Sequence, residues 1–130
     1  MKFLEIKLLV VIFILTMAGN VVFADQLKIG ISQIVAHPAL DNCRDGFVDG
    51  LKQAGYIPGE DVIYDFQNAQ GEFSNAISIA QKFKDDQVDM IVAISTPIAQ
   101  ACAQVTSDIP IIIGAITDPV AANIAESWES

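Results

Sequence analysis

Basic residues are scarce: seven Lys and Arg stand against sixteen Asp and Glu in 130 residues, a formal net charge of −9. No Lys/Arg run offsets that charge, so a phosphate backbone would be repelled and nucleic acid is not an expected partner. An anionic membrane is a poor working surface for the same reason. Histidine occurs once, as His37, which excludes a metal cluster built on several imidazoles. No metal and no cofactor are expected. Neither a P-loop nor a G-x-G-x-x-G follows the first strand, so the common phosphate cradles are missing. The nucleophile elbow G-x-S-x-G is missing too, because Gly30-Ile31-Ser32-Gln33 departs from it at the last glycine. Beyond residue 24 no apolar stretch approaches the roughly 20 residues of a membrane helix. Cysteine occurs only as Cys43 and Cys102, an even count that in an exported chain invites a disulfide.

The one long apolar run lies at the N-terminus. Lys2 and Lys7 precede Leu8 to Met17, which only Thr16 interrupts, and Val22-Phe23-Ala24 offers residues a signal peptidase reads. Residues 1–24 are therefore expected to be an export signal cleaved after Ala24. An uncleaved anchor is the alternative, against which Gly19-Asn20 breaks the run. No cysteine directly follows, so the product is not expected to be a lipoprotein, and the expected location is the periplasm. Removing the signal takes two lysines and one glutamate, which leaves residues 25–130 as one small domain of net charge −10.

Along that domain the hydrophobic period switches repeatedly. Leu27, Ile29 and Ile31 alternate as a short strand, followed by a polar loop from Ser32-Gln33 to His37. Pro38 suits the first turn of a helix. Leu40, Cys43, Phe47, Leu51 and Ala54 mark one face of that helix, and Gly55 is placed to stop it. After Pro58-Gly59, Val62, Tyr64 and Phe66 form a second strand with one partly wet face. Ser74 is expected to cap a helix whose buried side is Ala76, Ile79, Ala80 and Phe83. Met90 to Ile94 reads as a strand covered on both faces. Thr96 is expected as N-cap and Pro97 as first residue of a third helix. Ile109 to Ile113 reads as another buried strand, and a short helix with Val120, Ala121 and Ile124 follows.

The alternation β-α-β-α-β-α-β-α demands a doubly wound α/β fold, a parallel sheet with helices on both faces. The partly wet second strand fits an edge and the apolar third and fourth fit the interior, for which the order 2-1-3-4 is expected. Right-handed crossovers then set the helices of Cys43 and Cys102 on opposite faces. The sheet between them holds their Cα atoms beyond the ~7 Å a bridge allows, so both thiols are expected free.

In such a sheet ligands lie outside the carboxyl ends of the strands, near the switch point. The residues delivered there are Ser32, Gln33 and His37 after the first strand, Asn68 after the second, Ser95 and Thr96 after the third, and Thr117 and Asp118 after the fourth. These are hydrogen-bonding groups suited to orienting a small polar ligand rather than attacking it, and no catalytic residue is assigned. Several have plainer roles open to them. Ser95-Thr96-Pro97 serves as a helix cap, or as an N-terminus whose free N–H groups hold a carboxylate. His37 covers a helix start, and Asp118 before Pro119 caps a strand-to-helix turn.

The stretches Ile29-Gly30-Ile31-Ser32-Gln33, His37-Pro38-Ala39-Leu40-Asp41 and Gly46-Phe47-Val48-Asp49-Gly50-Leu51 stand in order with Tyr64-Asp65-Phe66-Gln67-Asn68-Ala69-Gln70-Gly71, Ala93-Ile94-Ser95-Thr96-Pro97 and Thr117-Asp118-Pro119-Val120-Ala121. Together they resemble the substrate-binding proteins of ABC importers, in the branch linked to tryptophan or tyrosine uptake. The resemblance spans nearly all of residues 27 to 125. It implies the first lobe of a type I periplasmic-binding-protein-like fold, in which two α/β lobes close on a small ligand. It also implies that Ser32 and Gln33 contact the ligand, that Ser95 and Thr96 hold an amino-acid head group, and that Thr117 and Asp118 lie near the inner wall.

The function this implies is the solute-binding component of an importer, not an enzyme, taking a small organic ligand such as an aromatic amino acid. Its partners would be the permease and ATPase subunits. Chains of that family continue past the position of Ser130 into a second lobe, so residues 25–130 are expected to supply one half of the cleft. Self-association through the lobe face is the corresponding expectation. The alternatives are a truncated remnant that binds nothing and a small enzyme on a flavodoxin-like scaffold.

Overall fold

The computed structural model describes residues 25–126, so the expected export signal lies outside the described residues. Four strands and three helices alternate: β1 (Leu27–Gln33), α1 (Pro38–Gln53), β2 (Val62–Asn68), α2 (Phe73–Asp85), β3 (Met90–Ile94), α3 (Thr96–Val105) and β4 (Ile111–Gly114). The sheet is parallel throughout, in the order β2-β1-β3-β4. This is the expected doubly wound topology.

The two faces are built from the period-two alternation of the strands. On one face Ile29, Ile31, Val62, Val92 and Ile94 are buried under α1, which adds Leu40, Cys43, Phe47, Val48 and Leu51. On the other, Ile91 and Ala93 are buried under α2 and α3 with Ala76, Ala80, Phe83, Ile98 and Cys102. Gly30 belongs to this second face. A Cβ there would lie 2.7–2.9 Å from the Phe83 ring, so only glycine lets that ring close onto the sheet. Cys43 and Cys102 lie in clusters on opposite sides of the sheet and both are free, as the topology requires.

Several local expectations are corrected. Ser32 and Gln33 are not loop residues: they continue β1, paired with Gln67 and Asn68 of β2 and with Ala93 and Ile94 of β3. Helix α1 starts at Pro38 and His37 covers its start as expected: His37 Nδ1 accepts from the Ala39 N–H at 3.2 Å. Helix α2 starts at Phe73 with Glu72 at the N-cap, so Ser74 lies inside the first turn and caps nothing. At α3 the N-cap position is Ser95 rather than Thr96. The segment after β4 makes a single turn, not a helix; Asp118 Oδ1 accepts from the N–H groups of Val120 and Ala121, both at 3.0 Å.

Strand β4 also differs from its expected interior place. It pairs with β3 alone among the described residues, and Ile112 is 41% exposed on the face that α1 serves. Its apolar composition signalled burial, yet α1 meets β4 only at its end, where Cys43 Sγ packs against Gly114, and leaves Ile112 uncovered. Helix α1 itself has no fully buried residue. At the other edge, Lys82 of α2 bridges Asp65 of β2 and Asp86. Burial tends to raise the Asp65 pKa, but the Lys82 and Gln67 hydrogen bonds and the Lys82 charge outweigh it and hold the carboxyl below its usual value. Charge on an edge strand also discourages pairing with another sheet.

Candidate functional site

The register puts the ends of β1, β2 and β3 level: Gln33 pairs with both Asn68 and Ile94, and Ile94 pairs with Gly114 of β4. Ser32, Gln33, Asn68, Ser95 and Thr96 therefore gather at one edge of the sheet, the carboxyl ends of the strands. His37 stands four residues beyond Gln33 at the start of α1, and Thr117 and Asp118 follow three and four residues past Gly114.

Three hydroxyls are buried without a partner among the described residues: Tyr64 Oη on β2, and two at this edge. Ser32 Oγ and Ser95 Oγ are buried and make no hydrogen bond, although the residues are only 0% and 8% exposed. A buried hydroxyl without a partner costs roughly 1–3 kcal/mol, which a ligand acceptor would recover. Ser95 carries a second cost. Its backbone sits at φ +100°, ψ 153°, a region nearly reserved for glycine. The conformation is held from outside the helix: Ser95 N–H donates to the Gly114 carbonyl at 2.9 Å, while its own carbonyl accepts from Ala99 N–H at 3.1 Å. The side chain is thereby turned away from a capping role. The first turn of α3 still presents the N–H groups of Thr96 and Ile98, which no carbonyl of the helix itself can take, while Pro97 has none.

The neighbouring loops are tied to this edge. Ala69 N–H donates to the Gln33 carbonyl at 3.0 Å and Gly71 N–H to the Ile34 carbonyl at 2.7 Å. Asn68 Oδ1 accepts from Gln70 N–H at 2.8 Å, which fixes Gln70 at φ +55°. Gln100 of α3 donates to the Ala122 carbonyl at 3.1 Å and draws the segment after Asp118 along α3.

The candidate residues divide by what they have left to offer. Ser32 and Ser95 have whole hydroxyls. Thr96 is half-buried at the first position of α3, and Thr117 is exposed. His37 and Asp118 are each partly engaged, one by the α1 cap and the other by the turn after β4. Gln33 is engaged at both ends of its amide: its Nε2 donates to Val35 O at 2.9 Å and Asp41 Oδ1 at 2.7 Å, and its Oε1 accepts from Arg44 Nη1 at 3.3 Å. Asp41 and Arg44, on one face of α1 at a spacing of three, escaped the sequence reading; that spacing, with Arg44 the single arginine of the chain, was the available signal.

The chain matches the family described as ABC transporter substrate binding protein over residues 28–130. It is 51% identical over 104 residues to the tyrosine-binding protein of Clostridioides difficile (strain R20291), a match covering 80% of this chain and 30% of that protein. Its fold superposes with TM-score 0.76 and 53% identity on the ligand-free, open structure of a substrate binding protein with adhesive properties from Clostridium difficile, covering 77% of this chain and 34% of that one. A structure in complex with L-Trp, the ABC domain from Streptococcus pneumonia, matches with TM-score 0.75 and 39% identity over 79% of this chain and 35% of that one. The chain thus spans about a third of the length of these relatives. Parallel sheet, strand order and sequence agree, and the chain belongs to the ABC transporter substrate-binding family.

Proposed function

We propose that residues 25–130 form one lobe of an importer's solute-binding component and hold the carboxylate of an amino acid at the start of α3. The observation that carries this is the pair of buried, unpartnered hydroxyls, Ser32 and Ser95, beside a helix N-terminus. Their strand ends are adjacent and within two residues of the same level. Hydroxyls, open N–H groups and the positive end of the helix dipole all favour one kind of guest, a small anion-bearing group. A relative named for tyrosine and one solved with L-Trp support an aromatic side chain on that guest. The matching of about a third of each relative supports a half-site that a second lobe completes. On this reading the chain is exported to the periplasm behind a signal cleaved after Ala24 and works with a permease and an ATPase.

The test compares ligands with and without the carboxylate. Amide chemical shifts of the whole chain are followed while L-tryptophan or tryptamine is added to millimolar concentration. Shifts of Ser32, Ser95, Thr96 and Ile98 with tryptophan alone are expected. An equal response to tryptamine, or shifts confined to other parts of the sheet, would rule out carboxylate recognition at this helix.

A further inference from the structure

We propose that Asp41 and Arg44 are positioning residues for the ligand site, acting through Gln33 to hold the loop between β1 and α1. The proposal rests on the solute-binding reading above and reassigns Gln33 from a ligand contact to the centre of a support.

Gln33 is the last residue of β1 and only 4% exposed, so its amide needs partners inside the protein. Those partners come from α1 and the loop. Asp41 Oδ1 accepts from Gln33 Nε2 and, at 3.3 Å, from Arg44 Nη1, while the same Arg44 nitrogen reaches Gln33 Oε1. Arg44 is steadied in turn by Asp45, whose Oδ1 lies 2.9 Å from both Nε and Nη2. Both donors of the Gln33 amide are thus used, and its oxygen already accepts from Arg44. The second Nε2 hydrogen goes to Val35 O, inside the loop.

The geometry makes a chain of control. The arginine fork fixes the carboxamide, the carboxamide fixes Val35, and the Ile34 carbonyl beside it receives Gly71 N–H from the loop after β2. Two of the loops that border the Ser32 and Ser95 hydroxyls are therefore set by one side-chain network that lies behind them. A planar guanidinium suits the task, since it holds two neighbours at fixed angles where an ammonium acts as a point charge.

The experiment uses the whole chain with Arg44→Ala, Arg44→Lys and, as a control on the same helix, Asp49→Ala. Arg44 is a surface-lying side chain, about 30% exposed, so the variants are expected to fold. Three quantities are read: backbone order parameters of Val35 to His37, hydrogen exchange of the Gly71 amide, and the dissociation constant for L-tryptophan. For Arg44→Ala the order parameters are expected to drop from about 0.85 to below about 0.6. Gly71 exchange is expected to rise at least ~10-fold and the dissociation constant about 10-fold, with β3 shifts unchanged. Arg44→Lys should fall between, and Asp49→Ala should match the parent. An ordered loop in Arg44→Ala overturns the proposal whether or not tryptophan binds. A loosened loop with unchanged tryptophan affinity overturns it as well, by leaving the network a purely structural part. A parent chain that takes no tryptophan defeats the solute reading separately, and the order parameters then decide the support role alone.

Discussion

Ser95 concentrates two costs in one residue: a backbone conformation suited to glycine and a hydroxyl sealed from water without a partner. Left-handed strain of this kind costs about 1–3 kcal/mol, and it persists only where the surroundings impose it. Here the imposing contact is the Ser95 N–H bond to Gly114, across the sheet from β3 to β4. Ser95→Gly is therefore expected to raise the unfolding free energy by about 1 kcal/mol in urea titrations while weakening the binding of tryptophan. A destabilised Ser95→Gly protein would mean that the hydroxyl contributes to the fold. The same bond explains why the helix starts one residue earlier than Thr96-Pro97 suggests. Ser-Thr-Pro is compatible with a cap at either hydroxyl residue, and the choice is made by a carbonyl nineteen residues downstream that no local pattern reveals. Ser32 lies near the carboxyl edge of the sheet, as its position after an apolar alternation implies. Its burial was not legible, because a polar residue at a strand end reads as the start of a loop.

At the scale of elements, β3 was legible because five consecutive apolar residues between turn signals have few other readings. Strand β4 has the same composition but lies at the sheet's margin among the described residues, since composition reports what a strand could bury and not what is present to cover it. The turn after Asp118 was read as a helix from Val120, Ala121 and Ile124; the Asp118 cap was right, and only one turn follows it. Topology was the most secure inference, because handedness leaves little choice once strands and helices alternate. It predicts the behaviour of the thiols. Cys102 is on the buried side of α3, with burial pushing its pKa up to about 11, while Cys43 is half-buried on α1. A thiol reagent near neutral pH should modify Cys43 first and Cys102 only slowly, since the thiolate is the reactive form. After denaturation without reductant both should react in full, two labels per chain by mass. No label at all would point to a bridge through the sheet and would overturn the assignment of the two helices to opposite faces.

Across the whole molecule, the proposed site lies at the carboxyl edge of the sheet, with His37 and Thr117 exposed beside it. On the proposed reading the hydroxyls of Ser32 in β1 and of Ser95, with the first turn of α3, supply one set of contacts. In a protein that closes on its ligand, a second lobe brings the other contacts and excludes water. With one set alone, water competes for each hydrogen bond and much of the apolar burial of an aromatic ligand is missing. Losing about 4 kcal/mol of contacts weakens binding roughly a thousandfold, enough to turn micromolar into millimolar. Residues 25–130 by themselves are therefore expected to give negligible heat with tryptophan, tyrosine or phenylalanine at micromolar concentrations. They should respond only near the millimolar range. The exposed Ile112 on β4 and the half-buried face of α1 add a second expectation, weak self-association that grows with concentration. Calorimetric titration paired with sedimentation velocity on the same samples checks both. A micromolar, one-to-one isotherm from a monomer would show that this lobe holds its ligand unaided, and the half-site reading would then have to be abandoned.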